Sequence, residues 1–245
     1  MSGRRVKLEV CVDDPEGLLA AVRGGADRIE LCSALAASGL TPSPGLMRLA
    51  AGARVPVYAM IRPRAGDFRY SPAEIDVMRR DIDAVREAGL AGVVLGASTA
   101  SGELDADVLA RLLAHAAGLG TTLHRAFDVV PDFAAALETA VSLGFERILT
   151  SGGERTALAG AERIADFVAQ AAGRIGVLAG CGVSARNVGE IVRRAGVVEA
   201  HGSCSRAVGE RPAPARALAL GFVDPEARVT DEGAVRALVA ALECL

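Results

Sequence analysis

The sequence predicts a closed (β/α)8 barrel of the TIM-barrel class, formed as a single domain. Short apolar segments alternate with longer Ala- and Leu-rich segments almost to the end of the chain, and this alternation is the βαβ rhythm of parallel sheets. The chain has 245 residues, close to the ~250 typical of this barrel. No Gly-x-Gly-x-x-Gly follows the first strand segment, which disfavours an open dinucleotide-binding sheet.

The barrel needs eight strands, and eight short apolar segments qualify. In order, they cover residues 6–11, 28–32, 56–62, 92–96, 121–125, 146–150, 175–179 and 197–201.

Helices are predicted between these strands because the intervening segments are long and apolar, and because their ends carry typical signals. The predicted helices are 14–24, 44–53, 72–88, 105–117, 132–143, 155–172, 184–194 and 231–243. Asp14-Pro15, Ser43-Pro44 and Ser71-Pro72 are typical helix starts, whereas Gly25 and Gly89 follow predicted helix ends. We therefore expect one domain over 1–245, with strand-helix units at 6–205 and an irregular loop at 206–229 before the last helix.

The composition of the chain argues against nucleic-acid and membrane partners. Hydrophobic residues make up 51% of the chain, charged residues 23%, and the net charge is -3. Aromatic residues are only 3% and no long basic run occurs, so we expect no nucleic-acid partner. No apolar run reaches the 18 or more residues of a membrane span, and we expect no membrane association.

The chain begins without a secretion signal, so a cytoplasmic location is expected. Its five cysteines are an odd number and lie far apart in the sequence. In a reducing compartment this makes a disulfide framework improbable.

One pattern occurs twice, as Leu8-Glu9-Val10-Cys11 and as Ile29-Glu30-Leu31-Cys32. If both segments are strands, the Glu and Cys side chains share one face of each strand. Carboxylates that face a barrel interior are costly unless they are paired or used. Glu9 and Glu30 are therefore candidates for general acid and base, or else they neutralise Arg28 and Arg62.

Further polar residues follow later strands, at the carboxyl end where this fold places its chemistry. Arg62 has the planar guanidinium suited to an anion, and His124 is a natural proton carrier that Asp128 could orient. The catalytic candidates are thus Glu9, Glu30, Arg62, His124 and Asp128. The candidate anion-binding residues, taken from Arg62 and the turns after strands six and seven, are Arg62, Ser151, Gly152, Gly182 and Ser184.

Cys11 and Cys32 are the candidate metal ligands. Consecutive barrel strands are neighbours about 4.8 Å apart, so both thiols could reach one ion. Two thiolates suit Cu(I) better than Mg²⁺ or Ca²⁺. The stagger of the barrel could instead place the two thiols in different layers.

Ordered blocks of the sequence resemble the copper homeostasis protein CutC family. The resemblance spans about 6–205 and rests on the two repeated segments above, Gly39-Leu40-Thr41-Pro42-Ser43, Met60-Ile61-Arg62-Pro63-Arg64-Ala65-Gly66-Asp67-Phe68, His124-Arg125-Ala126-Phe127-Asp128 and Ile148-Leu149-Thr150-Ser151-Gly152-Gly153. It implies a (β/α)8 barrel, a cytoplasmic homodimer or homotetramer, and copper handling. The family's suggested Cu(I) ligands fall on Cys11 and Cys32.

Two hypotheses follow from the sequence. The first is a copper homeostasis protein that binds Cu(I) through Cys11 and Cys32. The second is an enzyme that performs acid-base chemistry on a small anionic metabolite, phosphorylated or not, held by Arg62.

Overall fold

The computed structural model describes residues 5–208, 214–224 and 226–245. In this part of the chain eight parallel strands form a closed barrel in chain order, with β8 returning to β1. The predicted fold class is confirmed. The strands are β1 (Lys7–Val12), β2 (Arg28–Leu31), β3 (Val57–Met60), β4 (Gly92–Leu95), β5 (Gly120–Leu123), β6 (Arg147–Thr150), β7 (Gly176–Ala179) and β8 (Glu199–Gly202).

Helices surround the barrel. They are α1 (Pro15–Gly24), α2 (Pro44–Ala50), α3 (Pro72–Ala88), α4 (Ala106–His115), α5 (Phe133–Leu143), α6 (Ala161–Ala171), α7 (Val188–Ala195), α8 (Ala215–Ala219) and α9 (Glu232–Glu243). None of the helices in the described ranges combines the length and apolar character needed to cross a bilayer.

The predicted caps fix where the first helices begin. The Asp14 side chain accepts from the Gly17 N–H at 2.6 Å, and Ser71 and Glu74 form a capping box. Each cap turns the chain at the carboxyl end of a strand and so shapes the rim of the barrel.

Side chains alternate along the strands as expected. Leu8 and Val10 of β1 are fully buried in the core between barrel and helices, whereas Glu9 is fully buried among polar groups of the barrel interior. A Leu or Val side chain buried in this way contributes about 1.5–3 kcal/mol, so the apolar layer between barrel and helices stabilises the fold.

A charged layer fills the barrel near its amino end. Arg28 forms ion pairs with Glu9 and Glu199, and Arg147 pairs with Glu199. The guanidiniums of Arg28 and Arg147 lie 5.6 and 4.9 Å from the centre of the Tyr58 ring. Paired charges thus occupy the amino end of the barrel interior, below the rim at the carboxyl end.

The segment 206–229, predicted as an irregular loop, is partly regular. Strand β9 (Ser205–Ala207) pairs antiparallel with β10 (Arg228–Thr230), and α8 lies between them. The pairing is supported because Arg228 donates to the backbone oxygen of Ser205 at 2.7 Å. Residues 209–213 and 225 lie outside the described ranges. After β10, α9 packs against α1 and α7.

Candidate functional site at the carboxyl end of the barrel

A cavity of about 570 Å³ opens at the carboxyl ends of the strands. Leu35, Met60, Phe68 and Leu149 provide apolar wall, and the polar lining comes from opposite sides of the barrel. A cavity of this volume can hold a small molecule, or a metal ion together with its ligands.

Strand register decides which polar groups meet. Glu9 is level with His201 on β8, and Cys11 is level with Glu30 on β2. Side chains that are paired in register on neighbouring parallel strands lie at the same height along the barrel axis. Glu9 and His201 therefore form one layer of the barrel interior, and Cys11 and Glu30 form the next layer toward the carboxyl end.

Glu9 holds His201 in place. Its Oε1 lies 2.8 Å from His201 Nδ1, and its Oε2 accepts from Arg28. Burial alone would raise the pKa of Glu9, but the bond from His201 and the charge of Arg28 lower it to about 2. Glu9 is therefore a buried carboxylate that pairs with Arg28, as the structural alternative predicted, and that also orients the imidazole.

Cys11, Glu30 and His201 form a three-donor group. One ligand atom of each, the Cys11 sulfur, a Glu30 oxygen and a His201 nitrogen, all lie within 4.8 Å of one another. Burial and the nearby charge of Glu9 raise the pKa of Glu30 to about 7. Burial by itself lowers the pKa of His201. The negative charges of Glu30 and Cys11 and the hydrogen bonds with Cys11 and Glu9 outweigh burial, so the pKa of the ring is raised well above its usual value.

Cys32 lies next to this group rather than in it. Its thiol donates to Glu30 Oε1 at 3.6 Å, and the side chain is fully buried beneath the turn at Gly39. Burial and the charge of Glu30 raise the pKa of Cys32 well above its usual value. The register places Cys32 beyond the level of Cys11, so the three-donor group has His201 and Glu30 beside Cys11 where the sequence suggested a second thiol.

Arg62 lies on the other side of the cavity, after β3. One of its terminal nitrogens donates to the backbone oxygens of Ala37 and Gly39, and the other donates to that of Gly66. Its Nε is buried without a hydrogen-bond partner. No ion pair joins Arg62 to a carboxylate of the described residues, so neither Glu9 nor Glu30 neutralises it.

His124 follows β5 and is 3% exposed. Its Nδ1 accepts from the Ala126 N–H at 3.1 Å, which assigns the proton to Nε2, and Nε2 has no partner. Burial and the charge of Arg62 lower the pKa of His124 to about 3. The ring is thus neutral at physiological pH, with the Nε2–H as a donor, and its role as a proton carrier stays a prediction.

The Asp128 carboxylate binds the loop after β6 instead of the His124 ring. It accepts from the Thr150 hydroxyl at 2.5 Å, from the backbone N–H groups of Ser151 and Gly153, and from Arg125. An internal carboxylate therefore occupies the position where we expected an external anion.

The other predicted anion donors also have internal partners. The Gly152 N–H donates to the Thr150 hydroxyl, and the Ser184 N–H donates to Asn187 Oδ1 at 2.8 Å. Gly182 lines the cavity. Of the predicted anion-binding residues, Arg62 is the one with an unpartnered buried donor.

His201 lies at the rim in the sequence as well, but the sequence analysis did not select it as a site residue. A signal for it existed, because His201 ends the eighth predicted strand at the same rim as the other candidates. Its pairing with Glu9 depends on closure of the barrel between β8 and β1, which no local pattern reveals.

Comparisons with known proteins agree with this architecture. The CutC family model matches residues 6–206. Proteins named family protein CutC are 59% identical in Sinorhizobium medicae, over 98% of both chains, and 59% identical in Caulobacter vibrioides, over 100% of both chains.

Among solved structures, the crystal structure of a CutC protein from Streptococcus agalactiae, whose name refers to copper homeostasis, has a TM-score of 0.78. It is 33% identical and covers 81% of this chain and 98% of its own. A native KDPGal structure, 17% identical with a TM-score of 0.58 over 96% of this chain and 93% of its own, shares the fold alone.

Proposed function

This chain belongs to the CutC family, and from that membership we propose that it is a copper homeostasis protein that binds Cu(I) at the mouth of its barrel. The Streptococcus agalactiae relative has a copper-homeostasis name, which supports the same role here.

The observation that carries the proposal is the convergence of Cys11, His201 and Glu30 within 4.8 Å. A thiolate is a soft ligand that selects Cu(I), and imidazole also suits copper. Cu(I) accepts few ligands, so the Cys11 sulfur and a His201 nitrogen are the two donors we assign to it. The metal displaces protons from its ligands, and the adjacent Glu30 carboxyl, with Oε2 unpartnered, can exchange them.

Glu9 supports the His201 donor from behind, and Cys32 supports the neighbouring Glu30 carboxyl. Glu9 bonds the His201 nitrogen that faces it and fixes the orientation of the ring, as carboxylates do behind metal-binding histidines. The predicted ligand Cys32 contacts Glu30 in the same way. We propose that Cys32 strengthens the site mainly through this contact.

Competition with a Cu(I) chelator under reducing conditions tests the proposal. Cys11→Ser should abolish stoichiometric Cu(I) binding, and Cys32→Ser should weaken it by about tenfold, the lower end of the losses seen when a group around a metal site is removed. Cys244→Ser is the matched control, because Cys244 is exposed in the last turn of the chain. Unchanged affinity in Cys11→Ser would refute the assignment.

The cytoplasmic location and the homodimer or homotetramer are further proposals from the family resemblance. Light scattering in solution should give two or four times the 25.0 kDa of one chain. A monomer mass at all concentrations would contradict the proposed assembly.

Acid-base catalysis on a small anionic metabolite is the second candidate function. One observation favours it: Glu30 has a pKa of about 7 and a buried oxygen without a partner. Turnover of a metabolite library, lost in Glu30→Gln, would support it, and a library without turnover would end it.

A further inference from the structure

On one side of the cavity, two buried donors have no acceptor among the residues that the structure describes. Arg62 is 6% exposed and its Nε lacks a partner; His124 is 3% exposed and its Nε2 lacks a partner. Both residues line the cavity, and both pack on the Phe68 ring, at 5.3 Å for the guanidinium carbon and 4.8 Å for the imidazole centre. A buried donor without an acceptor costs about 1–3 kcal/mol, so such atoms mark places where a ligand supplies the acceptor.

Arg62 carries a positive charge here and forms no ion pair with a carboxylate of the described residues, although Glu30 and Asp128 line other parts of the cavity. Arg62 bonds only backbone oxygens among the described residues, and a buried guanidinium without a counter-charge is costly. His124 adds no charge, because burial lowers its pKa to about 3. One positive charge and two N–H donors are therefore available, which is the complement of one carboxylate.

The rest of the cavity favours a carboxylate that carries carbon. Leu35, Met60 and Leu149 line it, and these apolar side chains suit a short hydrocarbon segment better than a free inorganic ion. The alternative anion site, at the loop after β6, is already filled by Asp128.

We propose that the mouth of the barrel binds a small organic carboxylate, whose oxygens accept from Arg62 Nε–H and His124 Nε2–H. The carboxylate lies toward β3 and β5, and its carbon chain extends toward Cys11, Glu30 and His201 on β1, β2 and β8. The two groups of residues share no member, so this site does not depend on the copper proposal. It names the chemical class of the anion in the second candidate function, and binding is tested here separately from turnover.

Two variants of His124 separate its donor from its structural bond. In His124→Asn, the side-chain oxygen can still accept from the Ala126 N–H, but nothing replaces Nε2. In His124→Gln, the longer carboxamide places an N–H near the position of Nε2. Arg62 is left intact because it also holds the loops at Ala37 and Gly66.

The experiment titrates the metal-free native chain and both variants with pyruvate, succinate, 2-oxoglutarate, inorganic phosphate and uncharged dihydroxyacetone. We expect at least one carboxylate to bind the native chain with a Kd below about 1 mM. That affinity should fall by at least about tenfold in His124→Asn and recover in His124→Gln. In the native chain, NMR should show the Arg62 Nε–H signal shifting as the carboxylate is added, a readout that needs no variant to fold.

Three results would overturn the proposal. They are failure of all three carboxylates to bind, tighter binding of phosphate than of every carboxylate, and binding that leaves the Arg62 Nε–H signal unmoved. Because the titration uses no copper, a negative result here and a negative chelator competition are separate findings.

Discussion

At the scale of single residues, the two histidines of the cavity have opposite electrostatics. Burial keeps His124 neutral, with a pKa of about 3, whereas the charges around His201 raise its pKa well above the usual value. His124 therefore stabilises the fold fully above its unfolded pKa of 6.5, and this contribution is lost as pH falls toward 3. His201 has the reverse sign: its contribution is present below pH 6.5 and lost at higher pH.

A comparison of the native chain with His124→Gln isolates the contribution of His124 to the pH dependence of stability. Between pH 7.5 and pH 5, the native chain should lose about 2 kcal/mol more unfolding free energy than the variant, because the unfolded native chain gains a proton that the folded chain excludes. Urea unfolding at the two pH values measures it. A stability difference that stays constant with pH would show that the folded ring titrates normally.

Removal of Arg28 should destabilise the chain strongly. Arg28→Met leaves Glu9 fully buried without its guanidinium partner, and breaking such a pair costs about 3–5 kcal/mol. Urea unfolding checks this. The double variant Arg28→Met with Glu9→Gln is the control and should recover part of the loss, since the stranded charge is gone. A loss below about 1 kcal/mol in the single variant would contradict the buried ion pair.

Residue patterns in the sequence were sufficient to predict which side chains lie at the carboxyl end of the barrel. They did not predict which groups these side chains hydrogen-bond. Alternation placed Glu9, Cys11 and Glu30 in the barrel interior, and there Cys11 and Glu30 line the cavity and Glu9 bonds His201. Whether Arg62 bonds a carboxylate or backbone oxygens depends on the path of the turn at Ala37 and Gly39, which residue type alone does not specify.

At the scale of elements, the end of β4 makes room for His124. A Cβ on Gly96 would lie 2.5 Å from Nδ1 and Cε1 of the His124 ring, so only glycine fits there. The strand end on one side of the ring and the Ala126 N–H on the other thus hold the imidazole in place.

Gly96→Ala should therefore displace the ring and destabilise the fold by about 1–3 kcal/mol, the usual cost of overpacking. Thermal unfolding measures the change. Gly45→Ala is the matched control: Gly45 is exposed in α2 and an added Cβ would meet only the Ser43 hydroxyl oxygen, at an ordinary 3.7 Å, so alanine there should be neutral or mildly stabilising. Equal stability of the two variants would contradict the tight packing at Gly96.

Element types were predictable because strands and helices differ in length and helix starts have chemical signals. The Ser71–Glu74 capping box illustrates this, since α3 has the predicted bounds. Helices α6 and α7 begin later than predicted because the preceding residues form rim turns. In one of these turns the Asn187 side chain accepts a hydrogen bond from the Ser184 N–H. A Ser followed by Asn three residues later looks in the sequence like the start of a helix, which is why the helix was predicted from residue 184.

At the scale of the whole molecule, barrel closure creates the candidate copper site. Pairing of β8 with β1 brings His201 level with Glu9, and the stagger between β1 and β2 makes Glu30 rather than Cys32 the neighbour of Cys11. Stagger is a property of the closed sheet, so the local repeat around Cys11 and Cys32 could not reveal it.

Diffraction at the copper absorption edge, on crystals exposed to Cu(I) under reducing conditions, tests this arrangement most directly. We predict one dominant anomalous peak in contact with both the Cys11 sulfur and a nitrogen of His201, with Glu30 beside it. A dominant peak at Cys181 or Cys244, or no peak at the mouth of the barrel, would contradict the proposed copper site.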